Sequence, residues 1–416
     1  MILEPASPYQ RAYLCTCCSI LLALPFHVTV TYCCIGAAAF VWLVGIRQHV
    51  QSFPRALTQP LLVFTSLFVI QIVGLIHTDN MISGINKIEG KLGMLVLPLL
   101  VFVSTLTRRD IRLLKWSFVL STITACLCCF ASMLIKAIAN GHGIAEILTL
   151  AEYKYTAFTD VINIHPTYLT LFTAFSFFLL TSLVKGTPLR IRYSILGVSF
   201  LYVCLVSFQA VSRAGVIAFI LALFITGFAE ILYSKKYRLL LVLMLVLILF
   251  ITSIVMSEFW RRKFIEDFRN ISGSSLAAND SSIGQHVKSW KCAVELILTD
   301  HFIFGYGTGD EKDVLATCYE AYQWRMMTVQ KNDAHNEYLS SGIRHGIIGI
   351  ALLLFCFGFG LRYAWQTRDW IYLAFLVMFV IVCLSESSLK ARTSLVYFCM
   401  LNAILYKDRY LQESQK

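Results

Sequence analysis

The stretch LLKWSFVLSTITACLCCFASMLIK, residues 113–136, decides the fold class. Between Lys115 and Lys136 it holds only apolar and small polar residues, and a helix of about 20 such residues spans a lipid bilayer. Similar runs recur along the whole chain of 416 residues, which is 58% hydrophobic and 14% charged. A soluble domain would carry roughly a quarter charged residues. We therefore predict an all-α polytopic membrane protein.

Twelve runs are candidate transmembrane helices, and no internal repeat relates them. The chain divides into residues 1–257 with spans one to nine, a long loop 258–345 with amphipathic helices, and residues 346–416 with spans ten to twelve and a short tail. The candidate spans lie at about 12–26, 28–46, 60–77, 90–106, 113–136, 164–184, 191–210, 214–233, 238–257, 346–362, 370–385 and 391–406.

Lysine and arginine are unevenly distributed between the spans. If the N-terminus is cytoplasmic, the cytoplasmic segments hold eighteen of these residues and the short segments on the other face hold seven. Such an excess marks the cytoplasmic side. Both termini are therefore predicted to be cytoplasmic and the long loop extracytoplasmic. The net charge of +11 reflects this orientation, and no nucleic-acid partner is predicted.

The long loop has the pattern of a folded segment rather than a disordered one. EFWRRKFIEDFRNI, residues 258–271, has apolar residues at helical spacing and suits the membrane surface. A second helix is predicted over 282–302 and a third over about 311–327. In the second helix one apolar face would contain Val287, Trp290, Val294 and Ile297.

Two of the fourteen cysteines, Cys292 and Cys318, fall in this loop. They could form a disulfide in an oxidising compartment, although sequence alone does not give their distance. Most of the other cysteines lie in apolar runs and are interpreted as small hydrophobic residues.

No metal or nucleotide site is predicted in the loop. The run GYGTG, residues 305–309, has no preceding strand and no following Lys-Ser/Thr, so it is interpreted as a turn. Asp310, Glu311 and Asp313 follow that turn and are interpreted as solvated. The histidines have no recognisable metal-ligand spacing.

Several charged residues near the extracytoplasmic ends of spans are candidates for function. Arg213 lies between two apolar runs, where an arginine has either a partner, a task, or a side chain that reaches the interface. Lys87 and Lys91 are i,i+4 neighbours, which favours either a nearby anion or anchoring at the interface. Glu386, Lys390 and Arg392 are expected to pair with each other. All three lie at the last outer turn.

His335 precedes the tenth span in DAHNEYLSSGIRHGIIGI, residues 333–350. It is either a general base, because histidine exchanges a proton near neutral pH, or a hydrogen-bonded interfacial histidine. A histidine among several cations, without metal or nucleotide, suits a lipid-diphosphate substrate, since arginine binds phosphate oxygens with a fork of donors.

HNEYLSSGIRHGIIG, residues 335–349, is similar to the His-Asn-x-x-Leu…Gly-x-x-Gly segment of the O-antigen ligase family. SRAGVIAF, residues 212–219, resembles that family's Ser/Thr-Arg segment, and residues 282–307 resemble its Gly-x-Arg…Trp…Gly-x-Gly segment. IHPTYLTLF, residues 164–172, also fits some members. The likeness covers about residues 160–350.

The resemblance implies an inverting glycosyltransferase with a GT-C-like fold that uses neither metal nor cofactor. Its donor would be a glycan on undecaprenyl diphosphate and its acceptor a lipid A–core oligosaccharide, at the periplasmic face of a bacterial inner membrane. By match, His335 would be the general base, Asn336 would contact substrate, and Arg213 would bind diphosphate.

One departure concerns the family's arginine before the tryptophan, which is His286 here. The missing charge would come from Lys288, Arg261 or Arg262, with Lys87 and Lys91 as further candidates for binding the anionic substrate.

Three other functions stay open. An O-antigen or exopolysaccharide polymerase would use the same chemistry with another lipid-linked glycan as acceptor. A protein O-oligosaccharyltransferase belongs to the same superfamily. A flippase or transporter of lipid-linked glycans would also have about a dozen spans, but transporters often show internal repeats and polar sites at the bilayer midplane.

Overall fold

The computed structural model describes residues 7–235, 282–299 and 301–415, and its regular structure there is entirely helical. Among the described residues, six helices are long and apolar enough to cross a membrane, which supports the prediction of an all-α membrane protein. The helices up to residue 235 are α1 (Pro8–Ala23), α2 (Val28–Val44), α3 (Ile46–Gln51), α4 (Thr58–Val73), α5 (Met81–Lys91), α6 (Gly93–Phe102), α7 (Arg108–Ala139), α8 (Ile144–Thr149), α9 (Thr156–Thr159), α10 (Pro166–Leu183), α11 (Leu189–Ala210) and α12 (Arg213–Ser234).

The chain after residue 281 contains six described helices. The first three are called the outer layer, and the last three complete the bundle. The six helices are α13 (Ser282–Ile297), α14 (Glu311–Ala321), α15 (Arg325–Gln330), α16 (Glu337–Gln366), α17 (Trp370–Val382) and α18 (Arg392–Glu413). Each predicted span within the described residues coincides with one or two of these helices. The ninth span, 238–257, and the first loop helix, 258–271, lie outside the described residues.

Helix α10 lies at the centre of the bundle, where 83% of its 18 residues are buried. In α11, by contrast, only 11% of the most apolar 18 residues are buried. Aromatic side chains fill the space around α10. The ring of Phe172 stacks on Tyr397 of α18 at 4.6 Å, and the ring of Phe175 lies 5.0 Å from Phe375 of α17. Because lipid is as apolar as these side chains, close packing rather than exclusion from water holds such helices together.

Helix α16 is interrupted at Gly346, where φ is +62° and ψ is −155°. The turn 302–307 fills this break. Ile347 donates its N–H to the carbonyl of Phe302 at 2.8 Å, Tyr306 donates to Ile343 at 2.8 Å, and Gly307 donates to Arg344 at 3.0 Å. The run GYGTG is thus a turn, as predicted, and its glycines allow backbone to meet backbone.

The acidic residues after this turn are not solvated as predicted. The carboxylate of Asp310 accepts the N–H groups of Asp79 at 3.1 Å and Asn80 at 2.7 Å. Glu311 is only 1% exposed, and Asp313 is partly exposed at the surface. The interpretation was wrong for the first two because the loop folds back onto the segment between α4 and α5, which supplies donors from a distant part of the chain.

The predicted apolar face of the second loop helix is also wrong in part. In α13 the exposed residues include Val294, whereas Lys288, Ser289 and Cys292 are buried. Helix α13 packs between α14 and α16 through small and polar residues, and a disulfide joins Cys292 to Cys318 of α14. The structure therefore contains the disulfide that the sequence analysis had left as a possibility.

Replacing Gly346 with alanine should destabilise the protein by roughly 2–4 kcal/mol. A Cβ at this position would overlap the carbonyl group of Ile303, and the positive φ is itself unfavourable for alanine. Thermal unfolding of the purified protein in detergent measures the effect. The matched control is Gly358→Ala in the same helix, where a Cβ meets no atom within 4 Å. Equal unfolding temperatures for the two variants would contradict the proposed role of the break.

Candidate functional site

The N-terminal ends of α10, α16 and α18 meet in one polar cluster. His165 precedes α10, His335 precedes the N-cap of α16, and Lys390 precedes α18. Two carboxylates connect them: Asp333 lies 2.8 Å from the Lys390 Nζ, and Glu386 lies 3.9 Å from the His165 Nδ1. Residues distant in sequence are thus brought together around His335.

His335 has the left-handed backbone conformation, with φ of +45°. Its N–H donates to Asp333 Oδ1 at 3.0 Å. The next residue, Asn336, caps α16 by accepting the N–H of Leu339 at 3.1 Å, and its amide nitrogen donates to the carbonyl of Leu384 at 2.9 Å. Such a conformation costs about 1–3 kcal/mol in a residue other than glycine and is often found at functional sites.

The imidazole of His335 is aligned by a carboxylate. Its Nδ1 lies 3.4 Å from Asp333 Oδ1, while the other carboxylate oxygen of Asp333 accepts from Lys390 at 2.8 Å. Burial opposes ionisation of Asp333, but Lys390 and His335 lower its pKa below the ordinary value. The carboxylate is therefore ionised at neutral pH and can stabilise a protonated imidazole, as in other histidine–carboxylate pairs.

His286 lies beside His335, with the two ring centroids 4.7 Å apart. Burial, together with the charges of His335 and Arg213, lowers the pKa of His286 to about 4. His286 is thus neutral at neutral pH and does not replace the positive charge of an arginine. The charge of Arg213, the first residue of α12, therefore acts on His286.

Lys288 lies on the other side of α13 from His286, since residues two apart in a helix do not face the same way. Its Nζ lies 5.5 Å from the ring centroid of Trp324, and the side chain is buried. Arg261 and Arg262 lie outside the described residues.

Lys87 and Lys91 have acceptors within the protein. Lys87 donates to the carbonyl of Gly309 at 2.9 Å, and Lys91 donates to Gln71 Oε1 at 2.7 Å. The anions that allow these two lysines to share a helix face are two buried carboxylates, Glu311 and Glu337.

Behind His335, the fully buried Arg344 joins these carboxylates. Its Nη2 donates to Glu337 Oε1 at 2.7 Å, its Nε donates to the carbonyl of Ser340 at 2.9 Å, and the same Nε lies 3.6 Å from Glu311 Oε2. The other oxygen of Glu337 accepts the N–H of Leu389 at 2.8 Å. Although burial opposes ionisation of Glu311, the surrounding cations hold its pKa well below the ordinary value.

The expected pairing among Glu386, Lys390 and Arg392 does not occur. Lys390 pairs with Asp333, the guanidinium of Arg392 lies 5.8 Å from the ring centroid of Tyr32, and Glu386 accepts from Thr167 Oγ1 at 3.3 Å. Burial, followed by the charge of Asp333, raises the pKa of Glu386 to about 7.

Sequence reasoning therefore named His335 and the neighbouring His286, and it named Glu386 and Lys390 with other partners, but it missed Asp333 and His165. Asp333 stands two residues before His335 in the quoted stretch, a spacing at which an aspartate side chain often accepts a backbone N–H. That signal was available. The proximity of His165, in contrast, depends on how α10 packs against the last helices.

Comparison with known proteins gives one match to a family model. Residues 197–354 match the O-antigen ligase family, which confirms the resemblance and supports an enzyme of the ligase and polymerase group. The matched range includes Arg213, His286 and His335. A search of curated proteins finds no match.

Glu386 should make stability fall as pH rises from about 4.5 to about 7. In this range the unfolded state has lost the proton that the folded state retains, so deprotonation favours unfolding. The full effect is on the order of 3 kcal/mol. Glu386→Gln should flatten this part of the curve of unfolding temperature against pH, and Glu89→Gln, an exposed carboxylate, should leave it unchanged. A wild-type slope in Glu386→Gln would contradict the assignment.

Proposed function

We propose that this chain is an O-antigen ligase-like glycosyltransferase that moves a glycan from undecaprenyl diphosphate to a lipid A–core oligosaccharide. The observation that carries the proposal is the partly exposed imidazole of His335, which is aligned by the ionised Asp333 and lies beside His286, a residue on which the charge of Arg213 acts. A base next to a cation suits a reaction in which a hydroxyl attacks and a diphosphate leaves.

In the proposed reaction, His335 takes the proton from an acceptor sugar hydroxyl. The hydroxyl oxygen forms a bond with the anomeric carbon of the donor, the bond from that carbon to the diphosphate oxygen breaks, and the configuration inverts. Asp333, on the Nδ1 side, leaves the Nε2 of His335 for the acceptor and stabilises the imidazolium that forms. No metal is required for this step.

Arg213 would stabilise the charge that develops on the leaving diphosphate. His286 cannot contribute a positive charge near neutral pH, so it would act as a hydrogen-bonding group. Arg261, Arg262 and Lys288 stay candidates for the remaining charge, and Asn336 would contribute by holding the backbone of His335 in place.

The proposed arrangement in the membrane has twelve spans in a GT-C-like fold, cytoplasmic termini, and the site at the periplasmic face of the inner membrane. The lysine and arginine distribution supports the orientation. The Cys292–Cys318 disulfide supports it independently, because disulfides persist in oxidising compartments and the bacterial periplasm is one.

The lipopolysaccharide banding pattern of a deletion strain tests the substrate assignment. Bare lipid A–core, with long glycan retained on the prenyl carrier, is the result expected for a ligase. Lipid A–core carrying a single repeat would instead identify a polymerase, and unchanged lipopolysaccharide would overturn both assignments.

Complementation of that strain and transfer assays with purified protein test the site. His335→Ala should lower the rate of transfer by about 10²–10⁴-fold, and Asp333→Asn should lower it by a smaller factor, because the base and its orienting carboxylate are lost. Lys331→Ala, an exposed neighbour paired with Asp313, is the matched control and should transfer at the wild-type rate. Wild-type transfer by a normally inserted His335→Ala protein would rule out the base.

The disulfide tests the orientation. In cells that lack the periplasmic disulfide-forming oxidase, Cys292 and Cys318 should be reduced, and the partly exposed Cys318 should react with a membrane-impermeant maleimide added to the periplasm. A Cys292→Ser/Cys318→Ser protein should give no such label from these positions in either strain. Labelling only after the cytoplasm is opened would place the loop on the other face.

A further inference from the structure

A cavity lies at the ends of α10, α16 and α18 that are farthest from the histidine site. Helix α10 begins after His165 and ends at Leu183, α16 is followed by Arg368, and α18 runs from the Lys390 end to Asp408 and beyond. The 18 residues of α10 span about 27 Å at 1.5 Å per residue, close to the ~30 Å of a hydrocarbon core. In the proposed arrangement, the histidine site and this cavity thus lie at opposite faces of the membrane.

This cavity has a volume of about 620 Å³ and a strongly cationic wall. Its volume is in the range of pockets that bind small molecules. Among the described residues, the acidic side chains that line it are two, Asp369 and Asp408. The cationic side chains in its wall are Arg108, Arg109, Arg112, Lys115, Lys185, Arg368 and Arg409.

The two acids of the wall are already engaged. Asp408 pairs with Lys115 at 2.6 Å, and Asp369 caps α17 by accepting the N–H groups of Ile371 and Tyr372. Within the part of the chain that the structure describes, the side chains of Arg109 and Lys185 have no hydrogen bond or ion pair. The cavity therefore has positive charge that the described residues do not balance.

A general excess of basic residues in cytoplasmic segments does not by itself explain why the cations cluster around this cavity. Arg11, Arg47 and Arg55 lie at the same end of the bundle, near the start of α7, but they do not line the cavity. The lining cations instead come from four separate segments: the start of α7, the end of α10, the α16–α17 turn and the end of α18. Converging cations repel each other unless an anion lies among them.

We propose that this cavity binds the phosphate of an acidic phospholipid headgroup. The proposal goes beyond glycosyl transfer and does not rest on it. Basic pockets between transmembrane helices are sites for anionic lipid headgroups, and arginine binds phosphate oxygens with two parallel N–H donors.

The surroundings favour a lipid over a free anion. Trp370 lines the cavity and lies against Tyr233 and Trp365, and such aromatic groups mark the level of the membrane interface. Just beyond Lys185, helix α11 exposes Leu189 and Ile191. The acyl chains of a bound lipid would extend along this surface while its phosphate stays in the cavity.

The test uses the purified full chain in a neutral detergent. Dioleoylphosphatidylglycerol should raise the unfolding temperature by about 3 °C or more, and native mass spectrometry should detect bound lipid. Dioleoylphosphatidylcholine and inorganic phosphate, at equal concentrations, should each give a clearly smaller shift. An equal shift with phosphatidylcholine would show that charge is not read, and an equal shift with phosphate alone would show that a lipid is not required; either result overturns the proposal.

Two variants locate the effect. Arg109→Gln/Lys185→Gln should weaken phosphatidylglycerol binding by about 30-fold, since each of the two cations contributes about 1 kcal/mol near a lipid phosphate. Arg11→Gln/Arg47→Gln removes the same charge from the same end of the bundle and should bind as wild type. If the double cavity variant does not fold, Lys185→Gln, an exposed position, should show a smaller loss. Wild-type binding by the cavity variants, or an equal loss in the control, would overturn the proposal.

Discussion

A buried arginine with two buried carboxylates holds the outer half of this protein together. Charges removed from water are costly unless each finds a partner, and breaking such a group costs more than forming it gains. Arg344 meets that condition through Glu337 in its own helix and Glu311 in the loop, and Gln71 of α4 lies at 3.5 Å from its Nη1. Because these partners come from three segments, their relative positions are constrained together.

The histidine site depends on this constraint. Glu337 follows Asn336 and His335 directly, and it binds Leu389 on the chain that leads to Lys390. The same carboxylate therefore fixes the start of α16 and the turn before α18, the two segments that bring His335 and Lys390 to Asp333. Asp333, Glu311 and Glu337 balance most of the positive charge of the lysines near them. Binding of a diphosphate would therefore depend mainly on Arg213 and on Arg261 and Arg262, which lie outside the described residues.

Apolar runs and the His-Asn stretch were sufficient to predict the helices and the residue at the centre of the site. Their signals are local: a span is a matter of run length, and a cap is a matter of adjacent residues. The burial of Asp310 was not predictable in the same way, because its N–H donors lie more than two hundred residues away in the chain. The burial of Glu311 likewise depends on a partner in another helix, Arg344. The exposed Val294 has the same cause, since the neighbours of α13, rather than its own periodicity, determine which face is covered.

The docking of the 302–307 turn into the break of α16 has a consequence for biosynthesis. A chain is made from its N-terminus, so this turn emerges before Ile343 and Arg344, whose carbonyls accept its N–H groups. The bond between Cys292 and Cys318 needs no residue beyond 318 and can close first. In the proposed orientation these segments would thus mature in two stages, and a chain that ended before residue 343 could form the disulfide but would lack the carbonyls to which the turn binds. Completion of the face that carries the histidine site is thus coupled to the insertion of α16.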